Sequence, residues 1–353
     1  MVSEGTRATL SSLNRLHLIM GLQCNVRCSM CYQTDFSAKT NMPAELWRYK
    51  LESVYPHVDS VKLQGGEPTV MKNCREAAAY LRQFSKLKLE IISNGVFLDD
   101  FWEDSIVHQG SLYSVSIQGA TRSVYDSIVK YGKHDRVIKN LERILTQRQG
   151  ETPRVVLTAV VQKDNFHDLA EIILLGGRLG VDGIEFGYDP ILTFQHLPNK
   201  TEVLKEVDRC RNAAALYPRL EIEGLEPIYQ HVGETKRGSE ASKAMCSAPF
   251  ANMVVDWDGT VRVCCNTWVK AGNLYESSAE SIWSGAHFER FRHKMKANDY
   301  SWCIPDCPAN ANPSRLSLPN KYLYQLKSDP AQFARKVKQK IARSLASRRK
   351  VSQ

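Results

Sequence analysis

The chain has 353 residues, 43% of them hydrophobic and 24% charged, an ordinary globular composition with room for one large domain and a smaller one. Its net charge of +9 belongs to the C-terminal tail, where residues 331–353 hold eight Lys or Arg and no acid; 39 bases and 38 acids precede them, so the charge marks no nucleic-acid surface on the body. No apolar run is long enough to cross a bilayer and the opening MVSEGTRATL has no signal-peptide core, so a cytoplasmic protein with reduced thiols is expected.

In that setting the ten cysteines read as metal ligands or catalytic thiols rather than disulfides. Predicted strands and helices alternate along the first half. Residues 16–22 form a buried-strand run, followed by the loop CNVRCSMC, and 43–54 have helical spacing. A second strand at 60–64 ends in GGEP, a helix follows at 72–84, and a third strand at 87–92 ends in SNG. Then come a helix at 101–107, a strand at 112–117 leading into SIQG, and a helix at 136–147. A strand at 155–161, a helix at 167–180 and a strand at 183–186 complete the series. Such alternation predicts a parallel sheet with helices outside, here a partial (β/α)6 barrel over residues 1–190. In this architecture chemistry sits at the C-terminal strand ends, where the cysteine loop, GGEP, SNG, SIQG and VQKDN all fall.

Beyond residue 190 the alternation breaks. Residues 191–245 read as a connecting region with a helix at 200–216. A second cysteine-rich domain is expected over 246–312, where MVVDWDGTVRVCC predicts a β-hairpin turning at Asp258-Gly259. The tail, 313–353, contains Asp329 as a helix cap and Pro330 at a first helical position. Phe333, Val337, Ile341 and Leu345 then recur every four residues, so a basic amphipathic helix is expected, docked with a solvated basic face or meeting an anionic partner.

Cys24, Cys28 and Cys31 stand at C-x3-C-x2-C spacing. Three thiolates on a [4Fe–4S] cube leave one iron without a protein ligand, and an open position is the mark of a catalytic metal. The spacing alone also suits zinc. With GGEP after the next strand, the pattern resembles the radical S-adenosylmethionine (radical SAM) superfamily over about residues 12–190. Met30 stands where that family more often has an aromatic residue, and Gln118 where many relatives have Asp. The resemblance implies that Cys24, Cys28 and Cys31 hold the cluster and that the main chain at Met30 meets the adenine of SAM. It implies that Gly65, Gly66, Glu67 and Pro68 hold the SAM amino group, and that Ser93, Asn94 and Ser116 make further contacts, Ser116 at the ribose. Lys130 is the candidate partner of the SAM carboxylate.

Five more cysteines lie near the C-terminus, at 246, 264, 265, 303 and 307. They resemble the SPASM/twitch extension of radical SAM enzymes, without the central C-x2-C-x5-C-x3-C run of full SPASM domains. The resemblance implies one auxiliary [4Fe–4S] cluster on Cys246, Cys264, Cys303 and Cys307, four thiolates that close the site; zinc on the same four is the alternative. Cys265 replaces Cys264 as ligand or faces the substrate. Cys265 or Cys210 is a candidate hydrogen-atom donor or base, although Cys210 and Cys74, in predicted helices, read first as buried core. Tyr32, Gln64, Gln162, Asn165, Glu185 and Asp189 are candidate pocket residues, and His17 reads first as a satisfied core histidine. Trp257, Trp268 and Trp302 read as core.

The expected function is that of a radical SAM oxidoreductase. It cleaves SAM reductively to a 5′-deoxyadenosyl radical and takes hydrogen from a small polar substrate such as a sugar or aminocyclitol, giving oxidation or epimerisation. An external electron donor such as flavodoxin or ferredoxin would supply the electron. The resemblance also allows a peptide- or protein-modifying maturase, for which about 14 residues before the first strand leave no leader-binding domain. A non-catalytic iron–sulfur or zinc protein is the third reading.

Overall fold

Leu16 and Leu18 are fully buried on one face of the first strand while His17 turns to the other, and this two-residue alternation organises the whole sheet. The computed structural model describes residues 9–31, 33, 35–188, 197–231, 245–267, 269–303 and 307. The expected tail helix, Tyr32, Asp189 and Trp268 lie outside the described residues.

In chain order the described strands are β1 (Arg15–Ile19), β2 (Arg27–Cys28), β3 (Ser60–Gln64), β4 (Lys88–Ser93), β5 (Gly110–Ser116), β6 (Val129–Lys130), β7 (Arg154–Val161), β8 (Gly183–Tyr188), β9 (Glu221–Glu223), β10 (Asn252–Val255), β11 (Thr260–Arg262) and β12 (Gly272–Asn273). Ten of them make one sheet in the order β12-β11-β10-β1-β3-β4-β5-β7-β8-β9, and β2 pairs with β6 in a separate ribbon. Every pairing from β10 across to β9 is parallel. The core β1-β3-β4-β5-β7-β8 is the expected six-stranded partial barrel. Helices including Lys72–Leu81, His134–Gln147 and Leu169–Leu179 make the crossovers that parallel pairing requires. Val61, Leu63, Leu89, Ile91, Tyr113, Val115, Val155 and Leu157 are buried in one core with Ala77, Ala78, Leu141, Ile144, Ile172 and Ile173 of those helices.

The opposite sheet face carries His17, Lys62 and Glu90. β3 and β8 are four strand spacings apart, about 19 Å on a flat sheet. Yet Glu185 on β8 acts electrostatically on Lys62 of β3, as the curvature of a barrel sheet allows.

The hairpin forms as expected. β10 and β11 are antiparallel, Gly259 has φ +80°, its N–H donates to Asp256 O at 2.9 Å, and Thr260 N–H donates to Asp258 Oδ1 at 2.9 Å. What the pattern does not announce is that β10 joins β1 in parallel, so the hairpin extends the barrel's own sheet. At the other end β9, from the expected connecting region, adds to β8. The predicted helix at 43–54 shortens to a wide turn, Glu45–Lys50, and the one at 101–107 divides into Asp100–Asp104 and Ser105–Gln109. The helix Arg122–Ile128 is an addition, with Thr121 Oγ1 accepting from Val124 N–H at 3.4 Å.

Candidate functional site

The cysteine loop leaves β1 and is held from three sides. Gly66 N–H donates to Gly21 O at 2.9 Å and Glu67 N–H to Gln23 O at 2.8 Å, so GGEP nests directly under the loop. A Cβ on Gly66 would stand 2.2 Å from Gln23 O, and one on Gly65 2.5 Å from Gly21 O. These glycines therefore let two backbones pack in direct contact. On a second side, β2 pairs with β6, setting Arg27 opposite Lys130 and Cys28 opposite Val129, and Ser29 N–H donates to Ile128 O at 3.0 Å. The ribbon brings exposed Lys130 beside the loop although 102 positions separate it from Cys28. On the third, Ser29 Oγ lies 3.5 Å from Gln162 Oε1 at the end of β7.

Glu67 is 1% exposed and ties these pieces together. Its carboxylate accepts from Thr69 N–H at 3.1 Å, Thr69 Oγ1 at 2.7 Å, Ser93 Oγ at 2.8 Å and Asn94 N–H at 2.6 Å. Burial pushes its pKa up, and those four bonds oppose the shift. The carboxylate is turned inward and engaged, capping the turn Pro68–Val70. Ser93, 2% exposed, is likewise committed, donating to Glu67 and accepting from Gly95 N–H at 2.9 Å. Asn94 relays the network outward, its Nδ2 donating to Asn25 Oδ1 at 2.8 Å and lying 3.9 Å from Cys24 Sγ.

Cys24, Cys28 and Met30 are partly buried against the main core. Burial raises the pKa of Cys24, and burial with the neighbouring Cys31 and Cys24 pushes Cys28 up to about 12. Clustered thiols without a cation resist ionisation; a bound metal centre removes that penalty. Among the described residues no three His, Cys, Asp or Glu are set to grip one metal ion. The donor set, thiols with no imidazole or carboxylate, fits an iron–sulfur cluster. Ser116, partly exposed at the end of β5, takes a 3.4 Å contact from Thr158 Oγ1. Asn165 is corrected from pocket lining to a buried strut: its Nδ2 donates to Gln118 O and Val160 O, and its Oδ1 accepts from Gln162 N–H. Gln118 itself is 3% exposed, with Oε1 accepting from Val160 N–H at 3.0 Å.

The second cysteine group gathers from separate stretches. Cys246 and Cys307 pack against a small core of Met295, Tyr300 and Cys303, together with Phe250. Cys264 is pushed up to about 12 by burial and by Cys265, Cys307 and Cys246, and Cys303 is raised by burial and by Cys307, Cys264 and Cys246. These four thus share one electrostatic neighbourhood. Asn266 Nδ2 lies 3.9 Å from Cys307 Sγ, and Thr267 Oγ1 donates to Trp302 O at 2.7 Å. Cys265 is exposed and acts on Lys62 and Arg262, which face the barrel side. Cys210 is corrected as a candidate donor. It is 1% exposed in the helix Lys200–Leu216, part of the apolar core, with its thiol pushed up to about 12 by burial.

Sequence reasoning passed over Arg15, Lys62 and Glu90, all on strands of the barrel core. The available signal was a charged residue alternating with Leu or Ile inside a strand, as in RLHLI, SVKLQ and KLEIIS. His17 is not the satisfied histidine expected: its Nε2 is buried without a hydrogen-bond partner.

Thiol groups arranged in this way, one at the mouth of a parallel barrel and one on an extension of its sheet, define an iron–sulfur protein of the barrel type. The family model described as the radical SAM superfamily matches residues 18–176, and SPASM, an iron–sulfur cluster-binding domain, matches residues 246–308. The chain belongs to the radical SAM superfamily and carries a C-terminal SPASM domain. Its cofactors are accordingly S-adenosylmethionine and a [4Fe–4S] cluster, with auxiliary iron–sulfur in the SPASM domain. The chain is 26% identical over 174 residues to a probable GTP 3′,8-cyclase of Saccharolobus islandicus, covering 49% of this chain and 56% of that protein. It is 22% identical over 165 residues to a probable GTP 3′,8-cyclase of Thermoplasma volcanium, covering 46% of this chain and 50% of that protein. The match thus spans about half the length of these curated relatives. Streptococcus suis SuiB bound to S-adenosylmethionine aligns with a TM-score of 0.61 at 16% identity, over 80% of this chain and 68% of that one. Native anSMEcpe with bound AdoMet and the Cp18Cys peptide aligns with a TM-score of 0.61 at 15% identity, over 92% of this chain and 98% of that one. At these identities the shared property is the fold. Among the described residues no helix is long and apolar enough to cross a membrane.

Proposed function

We propose that Cys24, Cys28 and Cys31 hold the [4Fe–4S] cluster with one iron left for S-adenosylmethionine, and that the enzyme abstracts hydrogen from a small polar substrate, ending in oxidation or epimerisation. The bound cofactors supply reductive cleavage of SAM and its 5′-deoxyadenosyl radical. The observation that carries the reading is three thiols grouped at the strand ends of a parallel barrel, clamped by GGEP below and β6 beside. In this reading Glu67 and Ser93 position the loop from beneath and Asn94 links them to Cys24. The main chain at Met30 meets the adenine, Ser116 offers its hydroxyl to the ribose, and Lys130 offers a charge to the SAM carboxylate. Cys246, Cys264, Cys303 and Cys307 hold one closed auxiliary cluster, and Cys265 is left toward the substrate. The electron comes from an external carrier such as flavodoxin or ferredoxin in the cytoplasm.

Charged side chains on the inner sheet face, with Lys62 3.9 Å from Glu90 and both sheltered, favour a small polar substrate. A peptide substrate is the second reading, supported by the fold shared with SuiB, described bound to precursor peptide SuiA, and with peptide-bound anSMEcpe. The test is anaerobic reconstitution with iron, sulfide, SAM and dithionite, followed by assay for 5′-deoxyadenosine. Wild type is expected to form it and Cys28→Ala to form none. An active Cys28→Ala would refute the ligand assignment.

A further inference from the structure

His17 on β1 stands at matched register to Lys62 on β3, and Lys62 to Glu90 on β4. The three side chains form a row on one sheet face, alternating with Leu16, Leu18, Val61, Leu63, Leu89 and Ile91 on the other, all 1% exposed or less. The row is charged, sheltered and incompletely paired. Glu90 Oε1 accepts from Ser60 Oγ at 2.7 Å and meets Arg15 Nε at 2.8 Å. Glu90 Oε2 has no hydrogen-bond partner, with Lys62 Nζ 3.9 Å away, and His17 Nε2 has none either. The Lys62 side chain is 15% exposed and that of Glu90 3%. Buried polar atoms left in this state are uncommon, because each forfeits its hydration without return.

Lys62 is the sheltered one of the two cations, since the Arg15 side chain is 44% exposed and keeps its hydration. Arg15 and Lys62 share the single carboxylate of Glu90. His17 stays neutral, since burial and those two cations push its pKa down to about 3. Glu185 and Cys265 also act on Lys62, but both are exposed and keep their own hydration. Arg262 is engaged with Asp256 at 2.5 Å. Lys62 Nζ, 3.9 Å from Glu90 Oε2 and beyond hydrogen-bond reach of it, is therefore left with open donors beside a buried imidazole nitrogen with nothing to bond.

We propose that this row is the substrate-recognition site of the barrel and takes an anionic oxygen group, a carboxylate or phosphate, received by Lys62 Nζ and His17 Nε2–H. The inference rests on the proposed function and deepens it by naming the substrate's charge class. Arg15 and Ser60 act through Glu90 as positioning residues that fix the distance to Lys62. Glu90 Oε2 remains an acceptor for a hydroxyl or amine next to the bound acid.

The test uses the reconstituted holoenzyme with SAM and measures binding by isothermal titration. The probes are glutarate, inorganic phosphate and an N-acetyl-glutamate amide, with glycerol and the N-acetyl-glutamine amide as neutral controls. At least one anion is expected to bind where its neutral control does not, Lys62→Met to weaken it at least about tenfold, and Lys62→Arg to restore most of the loss. His17→Leu, a second variant in case Lys62→Met fails to fold, is expected to weaken the same probe severalfold. Preference among the three anions separates a free carboxylate, a phosphate and a peptide side chain as the source. Equal binding by wild type and both charge- and donor-removing variants, or by neutral and anionic probes, overturns the proposal. The radical SAM reading fails separately, by absence of 5′-deoxyadenosine from reduced wild type.

Discussion

The barrel loop collects its three cysteines within eight residues and hangs them on the backbones of its neighbours, whereas the C-terminal group draws Cys246, Cys264, Cys303 and Cys307 from distant stretches onto a small core of its own. Around the loop the restraints are polar: backbone bonds to GGEP, the engaged carboxylate of Glu67, and the β2–β6 ribbon. Around the second group they are aromatic, with Tyr300, Phe250 and the Phe291–Trp302 pair at 4.9 Å. A loop held from outside can leave one side of its cluster open. A group assembled from three directions surrounds what it binds. The difference predicts separable failures.

The largest effect expected is from the ligands themselves. Cys28→Ala should abolish SAM cleavage while the auxiliary cluster keeps its iron, and Cys303→Ala should do the reverse, losing auxiliary iron while SAM still binds. Iron and sulfide counts beside a SAM-binding titration check both. Loss of all iron from either variant would mean that the two groups are not independent. Glu67→Gln comes next. An amide has one oxygen where four donors converge, so donors are left facing donors in a buried site, at a cost of about 2–4 kcal/mol. Chemical denaturation should show that loss together with weaker SAM binding and normal auxiliary iron.

The loop and the barrel were legible because their signals are local. CNVRCSMC and GGEP are contiguous, and β3 and the helix Lys200–Leu216 fall at the predicted bounds because strand alternation and helix spacing are nearest-neighbour patterns. Long-range pairing is not written that way. Nothing in the hairpin's own residues says that β10 will take the free edge of β1, and a two-residue ribbon such as β2–β6 is too short to leave a period. Glu67 shows a further limit: its motif position was legible, but which way its carboxylate turns depends on Thr69, Ser93 and Asn94 arriving together. Lys62 and Glu90 were passed over because a lone charge in a strand usually reaches solvent, and only the curved sheet turns these two inward.

Trp302→Ala addresses the aromatic side of the comparison. Trp302 packs edge-on against Phe291 and accepts the Thr267 hydroxyl on its carbonyl, one residue before Cys303. Removing the ring should cost about 1–3 kcal/mol and lower auxiliary iron while leaving SAM binding intact. A matching fall in SAM binding would show that the two sites share their packing after all.

The smallest expected effect is a pH dependence confined to the second region. Asp299, between Tyr300 and the helix Ala286–Lys296, bonds Lys294 Nζ at 2.5 Å and Ser301 N–H at 2.9 Å. Burial pulls its pKa up, but these bonds outweigh it and hold the carboxyl at about 2, below its ordinary 3.8. A depressed carboxyl stabilises the fold above the unfolded value and loses that contribution as pH falls toward the folded one. The window is therefore about pH 4 down to 2. With the Asp299 side chain 43% exposed, solvent screening keeps the contribution under about 1 kcal/mol. Lys294→Met should remove most of it, shifting the acid transition of the auxiliary-cluster absorbance upward while the SAM-site transition stays in place. If both transitions move together, Asp299 supports the whole sheet through β10 rather than the cysteine group beside it.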